Sequence, residues 1–385
     1  MKFLKHKSKL PVSFVIYAII IYICKDKFTR QTHYLNMKKT TRRKITAAIT
    51  IVAIIIIAAI SAKFAIQYYT TRVRQIHLKE TAYIYITPQD DSESVIKKIE
   101  EIIAPASADG FDLLSKHNNY DSRKRSGKFA IKDGDTMKDI YYRIVSNTQT
   151  PVKLVVPSTR SVELLVGNVC RQLMMDSVEL SEFMTSTIYK NKIGYTDESF
   201  PSLFIPETYE VYWNIKPEDL MIRFMKERRE FWNEKRMAKA EKLGMTPEDV
   251  ATLASIVDEE TNDNAEKPIV AGLYINRLKK GMLLQADPTV KFALGDPTRK
   301  RILNKDLEVE SPYNTYKHTG LPPGPIRIAT KQGLESVLNY KEHDYLYMCA
   351  KEDFSGTHNF AKTLSEHNAN AKKYQNALNK LKIKK

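Results

Sequence analysis

An α+β fold carried behind one apolar helix is what this sequence predicts, and three features predict it. One is an uncharged run of eighteen residues, Ile45 to Ala62. Another is a stretch over about 81–155 in which alternating segments and short helical periods interleave. The third is a change at Pro217, after which the helices lengthen and then give way to a Pro-rich region. The 385 residues are enough for two folded units and a targeting segment. The expected layout is a basic segment (1–44), a transmembrane helix (45–66), a stem with a small α+β module (67–155), and a larger mixed α+β domain (156–385).

The apolar run rises about 27 Å as a helix, close to the thickness of a bilayer's hydrocarbon core. Arg42-Arg43-Lys44 precedes it and Tyr68-Tyr69 follows it. The stronger positive flank is N-terminal, which predicts a cytoplasmic N-terminus and an extracytoplasmic remainder. A cleaved signal peptide is the competing reading, since Ala59-Ile60-Ser61 offers small residues, but the core is longer than a usual signal core. A second apolar run, Val12 to Cys24, is too short for a comfortable span. Met37-Lys-Lys-Thr-Thr-Arg-Arg-Lys44 reads like the start of an exported protein, which would make residues 1–36 a mis-assigned beginning. The formal charge of +16 is concentrated here: residues 1–44 hold +11 of it. The excess flanks the apolar run, so it implies no nucleic-acid partner.

Thr81–Thr87 alternates as a strand, Ser92–Ile103 has helical apolar spacing, and Phe111–Leu114 begins a second short helix. Gly127–Ile131 reads as a strand. Asp133–Thr136 supplies a turn and an N-cap for a helix through Val145. Pro151–Pro157 is a further strand candidate, grouped with the module. Ser161–Leu173 and Leu180–Tyr189 read as helices, Pro217–Ala240 as one long charged helix, and Thr246–Thr261 and Ala265–Lys280 as two more. Gly281–Thr330 is loop-rich with six prolines, a length of irregular chain that usually serves function. Tyr345–Cys349 is a β-like run and Ser365–Leu381 a terminal amphipathic helix. Cys24, Cys170 and Cys349 have no metal-ligand spacing; Cys170 and Cys349 are read as buried thiols, with a disulfide as the alternative.

The helix after Thr246 carries the most chemical information. Thr246 suits the N-cap, Pro247 the first helical position, and Glu248 and Asp249 the positive helix end. At about 100° per residue from Leu253, Glu260 falls near −20°, in the middle of the apolar stripe. Glu259 and Asp258 fall near −120° and +140°, toward a polar side with Ala251, Thr252 and Ser255. Burial disfavours the charged form of a carboxyl group and raises its pKa, as a general acid near neutral pH requires. The plainer alternative is a frayed helix end, or Glu260 paired with Arg277. Gln285, Asp287 and Thr289 alternate and would share one face of an extended segment, a polar ledge for sugar hydroxyls; a turn capped by Asp287 is the alternative. Tyr313 and Asn314, in Pro312-Tyr-Asn-Thr-Tyr316 before Gly320-Leu-Pro-Pro-Gly-Pro-Ile326, suit the wall of a carbohydrate groove or an ordinary loop. No metal, triad or phosphate-loop motif is present.

These segments resemble the endolytic murein transglycosylase (YceG-like) family. The resemblance lies in Leu253-Ala-Ser-Ile-Val-Asp-Glu-Glu-Thr261, Ile275-Asn-Arg-Leu278, Gly281-Met-Leu-Leu-Gln-Ala-Asp-Pro-Thr-Val290, the two loop motifs above, His358-Asn-Phe360 and Ser365-Glu-His-Asn368. Their order and spacing match over about 205–370. Leu203-Phe-Ile-Pro-Glu-Thr-Tyr209 resembles the family's Pro-Asp-Thr-Tyr element, with Glu207 in place of Asp and Tyr209 retained. The resemblance implies a LysM-like small module and a catalytic domain that cuts peptidoglycan glycan strands with one catalytic carboxyl, Glu260, and no cofactor. It implies 1,6-anhydro-N-acetylmuramic ends, sugar contacts from Gln285, Asp287, Thr289, Tyr313, Asn314, Glu207 and Tyr209, and company with peptidoglycan synthases at the inner membrane. The rival readings are a non-catalytic peptidoglycan-binding scaffold and a hydrolase with Asp287 or Glu207 as second carboxylate.

Overall fold

The computed structural model describes residues 39–380, apart from 104, 123–124, 297–298 and 300–301. The basic segment before Lys39, the run Val12–Cys24 and the question of Met37 lie outside the described residues. Helix α1 (Lys39–Tyr68) opens the described chain and runs on through a π turn (Tyr69–Val73). It is the one described helix long and apolar enough to cross a membrane. None of its side chains is buried against the protein.

The small module follows, as β1 (Ala82–Ile86), α2 (Ser92–Glu100), α3 (Pro105–Asn118), β2 (Gly127–Ile131) and α4 (Met137–Val145). β1 and β2 pair antiparallel, Ile84 opposite Phe129. Alternation works as expected: Ile84 and Ile86 are buried while Tyr83 and Tyr85 face out. Asp91 caps α2, and Thr136 and Asp139 form a reciprocal capping box on α4. Val95, Ile99, Phe111, Phe129, Ile140 and Ile144 close an apolar core against the sheet. At the foot of the module, a Cβ on Gly110 would stand 2.8 Å from the Thr70 carbonyl oxygen, so α3 passes the π turn only as glycine.

The module ends sooner than the sequence suggests. β3 (Val152–Val156), grouped with the module by proximity, pairs instead with β4 (Glu207–Val211), with Leu154 opposite Tyr209. Leu154 and Val156 thereby enter a second core, with α5 (Val162–Cys170), α6 (Ser177–Thr185), α7 (Thr187–Lys192) and α8 (Pro217–Phe231). A strand goes where a complementary edge and apolar face exist, and neither is visible in its own few residues.

The long helix expected over Pro217–Ala240 is two helices, α8 and α9 (Glu234–Lys242). Trp232 leaves the helical conformation and the Asn233 side chain caps α9 by accepting from Arg236 N–H. In a continuous helix Phe231 and Trp232 would diverge by about 100°; the break lets both enter the core, ring centroids 5.4 Å apart. Leu180–Tyr189 likewise divides between α6 and α7 at the Ser186 cap. The remaining elements are α10 (Pro247–Glu260), α11 (Lys267–Lys279), α12 (Asp287–Ala293), α13 (Lys331–Leu338), the hairpin β5 (Tyr347–Ala350) and β6 (His358–Ala361), and α14 (Leu364–Lys380). Cys170 and Cys349 are free and half-buried.

Candidate active site

α10 is the hub of the larger domain. Its start follows the sequence signals: Thr246 and Asp249 form a capping box and Pro247 takes the first helical position. Its surroundings do not. Every residue from Val250 to Asp258 is buried, so the polar side expected for Ala251, Thr252, Ser255 and Asp258 does not exist. The polar groups are satisfied inside instead, as buried polar groups must be. Thr252 donates to the Glu248 carbonyl at 2.8 Å, and Ser255 donates to the Thr252 carbonyl at 2.7 Å while accepting from Ile326 N–H at 3.0 Å.

The three consecutive acids at the end of α10 have three different environments. Asp258 turns into the protein, its side chain 1% exposed. It takes Lys267 Nζ at 2.6 Å and the Thr330 N–H and hydroxyl at 2.7 and 2.9 Å. A Cβ on Gly333 would lie 2.6 Å from this carboxylate, so α13 approaches it through a glycine. Glu259 is clamped between two guanidinium groups, Arg160 at 3.0 Å and Arg327 at 2.8 Å. Glu260 forms no ion pair among the described residues; its partner is the Tyr274 hydroxyl, which donates to Oε1 at 2.6 Å. Arg277, the alternative partner, is engaged elsewhere, with the carbonyls of Leu283, Leu284 and Leu346.

Burial pushes the Glu260 carboxyl above its ordinary pKa, and the Asp287 charge adds to the rise. The Tyr274 hydrogen bond and the charges of His358 and Lys291 act the other way without reversing it. The Tyr274 phenol is itself raised well above its usual range, by burial first and then by Glu260, so it remains a neutral donor. The arrangement holds a carboxyl that can carry a proton at a pH where exposed carboxylates have lost theirs.

Two further hydrogen-bonded pairs hold Asp287 and His358, whose charges reach Glu260. Tyr316 donates to Asp287 Oδ1 at 2.6 Å. His358, on β6, bonds Glu266 twice: its N–H donates to Oε1 at 2.7 Å, and Nδ1 lies 2.9 Å from Oε2. Glu266 stands immediately before α11 and is 6% exposed, so it fixes the His358 ring from below. Tyr274, Tyr316 and the His358–Glu266 pair were not singled out as site residues from sequence. Tyr316 and His358 lie inside quoted motifs; Tyr274 has no local signal, because its helix is apolar on most sides and its partner is fourteen residues away.

The expected sugar contacts fall into two groups. Asp287 and Gln285 are exposed. Tyr313 is half-buried against Phe292, ring centroids 4.6 Å apart, and burial raises its phenol to about 12. Glu207 is exposed at the start of β4, ion-paired with Lys331, which lowers its pKa. The others turn inward. Thr289 is fully buried and bonds the Ala286 carbonyl and Thr315 hydroxyl. Asn314 is fully buried, donating to the Leu307 and Val309 carbonyls and accepting from Tyr316 N–H. Tyr209 lies in the second core, its hydroxyl on the Ile205 carbonyl. The extended ledge expected over 285–289 is instead a left-handed turn at Gln285 (φ 53°) followed by α12. Helical spacing parts the three side chains that an extended chain would have aligned.

Residues 84–373 match the YceG-like family. Over 201 residues the chain is 36% identical to the endolytic murein transglycosylase of Bacillus subtilis (strain 168), covering 52% of this chain and 54% of that protein. To the endolytic murein transglycosylase of Streptococcus pneumoniae (strain D39) it is 30% identical over 137 residues, 34% of this chain and 25% of that one. The matched region thus spans about half, or less, of these curated relatives. The crystal structure of a yceG-like protein from Listeria monocytogenes aligns with a TM-score of 0.51 at 27% identity, covering 76% of this chain and 99% of that one.

Proposed function

Because this chain belongs to the YceG-like family, we propose that it is an endolytic peptidoglycan lytic transglycosylase with Glu260 as its one acid and base. The observation that carries the reading is the contrast at the end of α10. Of three adjacent acids, two are neutralised by cations, while Glu260 stands half-buried beside a phenol with its pKa raised. The names of the similar proteins supply the substrate class.

In this reading protonated Glu260 donates to the glycosidic oxygen linking N-acetylmuramic acid to N-acetylglucosamine. The C1–O bond breaks and positive charge develops at C1. The Glu260 carboxylate, steadied by Tyr274, then takes the proton from the muramic C6 hydroxyl as its oxygen bonds to C1. A 1,6-anhydro end forms, no water is consumed, and strand elongation ends. Gln285, Asp287 with Tyr316, and Tyr313 face the sugars; Thr289, Asn314 and Tyr209 hold the groove's shape from inside, and Glu207 meets a more distant part of the strand. The β–α–α–β module is LysM-like. α1 anchors the chain once in the cytoplasmic membrane, its N-terminus inside and its catalytic domain outside, near peptidoglycan synthases.

Mass spectrometry of strands digested by the full chain tests this: anhydro ends are one water lighter than hydrolytic ends. Hydrolytic ends would favour a second reading, supported by the Asp287 charge acting on Glu260, in which Asp287 activates a water. Strand binding with no new ends would leave a scaffold protein.

A further inference from the structure

The neighbourhood of Glu260 contains a cation without a counter-ion. Arg277 closes the last turn of α11 and is 7% exposed. Nε donates to the Leu346 carbonyl at 2.6 Å; Nη1 donates to the Leu283 and Leu284 carbonyls at 3.1 and 2.9 Å and to Gln285 Oε1 at 3.3 Å. The guanidinium also lies 5.4 Å from the Tyr347 ring centroid. All of these partners are neutral. No carboxylate lies within ion-pair distance of Arg277 among the described residues, although the other deeply buried cation here, Lys267, has Asp258. Carbonyl dipoles solvate a buried guanidinium but leave its charge uncompensated.

Nη2 makes no hydrogen bond to the described residues and keeps some exposure to solvent. Gln285, which Nη1 grips, is exposed, held in a left-handed turn two residues before Asp287. The Arg277 charge also reaches both phenols of the site, Tyr274 and Tyr316. A rigid guanidinium, three of its hydrogen bonds spent on the backbone and one nitrogen left open, suits a carboxylate better than a sugar hydroxyl.

We propose that Arg277, with Gln285 beside it, forms a subsite for a carboxylate of the glycan strand, within the transglycosylase reading of the previous section. Two carboxylates are available on such a strand: the lactyl group of a peptide-free muramic residue and the carboxylates of a stem peptide. The bound carboxylate supplies the negative charge the cation lacks, and its capture sets the register of the strand across Glu260.

Binding to the full chain in detergent, carrying Glu260→Gln so that no strand is cut, tests the proposal. Three probes are compared: peptide-free strands with free lactyl carboxylates, the same strands methyl-esterified, and strands bearing stem peptides. A charge-assisted bond of ordinary strength corresponds to roughly tenfold or more in affinity. The chain should bind at least one acidic probe tenfold tighter than the ester, and which one identifies the source. Arg277→Gln should abolish that preference, bringing acidic and esterified strands to equal affinity. Should Arg277→Gln fail to fold, Arg277→Lys, which keeps the charge but loses the planar fork, takes its place and should weaken the preference; a preference that either variant leaves unchanged overturns the subsite. Equal affinity for acidic and esterified strands overturns the subsite and leaves the transglycosylase reading standing. Failure to bind any strand overturns both.

Discussion

The small module and the region around α10 bury very different things. The module's core is hydrocarbon and aromatic rings: Ile84, Val95, Ile99, Phe111, Phe129, Tyr141 and Ile144. Around α10 the interior also takes in Asp258, Lys267, Glu266, Arg277, Thr289 and Asn314, each at 7% exposure or less. Hydrophobic burial is non-directional and tolerates many partners. Buried charges must each find a named partner, and replacing such a pair with apolar residues is often neutral or stabilising. The larger domain therefore spends its interior on geometry, holding the end of α10 so that one carboxyl is left without a cation. Experiments that break or sharpen this contrast follow, from the largest effect to the smallest.

Glu260→Gln should lower formation of anhydro ends by about 10²- to 10⁴-fold, the usual contribution of a general acid and base. It should not lower stability. The folded pKa of Glu260 is raised, so the native state keeps a proton that the unfolded chain has released. Stability then falls as pH rises from the unfolded carboxyl pKa through the folded one. Thermal melts should find Glu260→Gln as stable as the parent in acid and more stable above that window. A less stable variant at every pH would mean that Glu260 is a structural residue.

Asp258→Ala should cost about 3–5 kcal/mol in urea unfolding, because it strands Lys267 inside the protein. In the module, Ile99→Ala should cost about 2–5 kcal/mol through the cavity it leaves. The two can be told apart by repair: Lys267→Met should recover much of the loss when added to Asp258→Ala. No recovery would show that the pair's partners, and not its charge, matter at this position.

Tyr274→Phe removes the donor that favours the Glu260 carboxylate. The Glu260 pKa should rise further, so the alkaline limb of the activity profile should move to higher pH. An unmoved limb would separate the phenol from the titration. The smallest effect belongs to the module: Thr136→Ala deletes one side of the α4 capping box and should cost about 1 kcal/mol, with no change in the cleavage profile.

Much of the architecture was legible in the sequence where neighbours in the chain carry the information. Caps at Thr136 and Thr246, alternation in β1 and β2, and the apolar run in α1 are signals written within a few residues, and the elements stand where they point. Glu260 also emerged from helical spacing, because a residue's direction around a helix depends only on counting. That count failed for Asp258. It fixes where a side chain points but not what is there, and Lys267 and Thr330, nine and seventy-two residues on, had made a polar pocket of the side expected to meet solvent.

By itself the sequence determined the helix that ends at Glu260, the apolar segment ahead of the folded part, and the composition of the loops around the site. Tertiary structure alone decided that β3 leaves the module for β4, that Tyr274 and not Arg277 meets Glu260, and that Thr289 and Asn314 face inward. The physical reason is range: backbone preference and periodicity act over a turn or two, whereas the environment of a buried polar group is assembled from segments far apart in the chain.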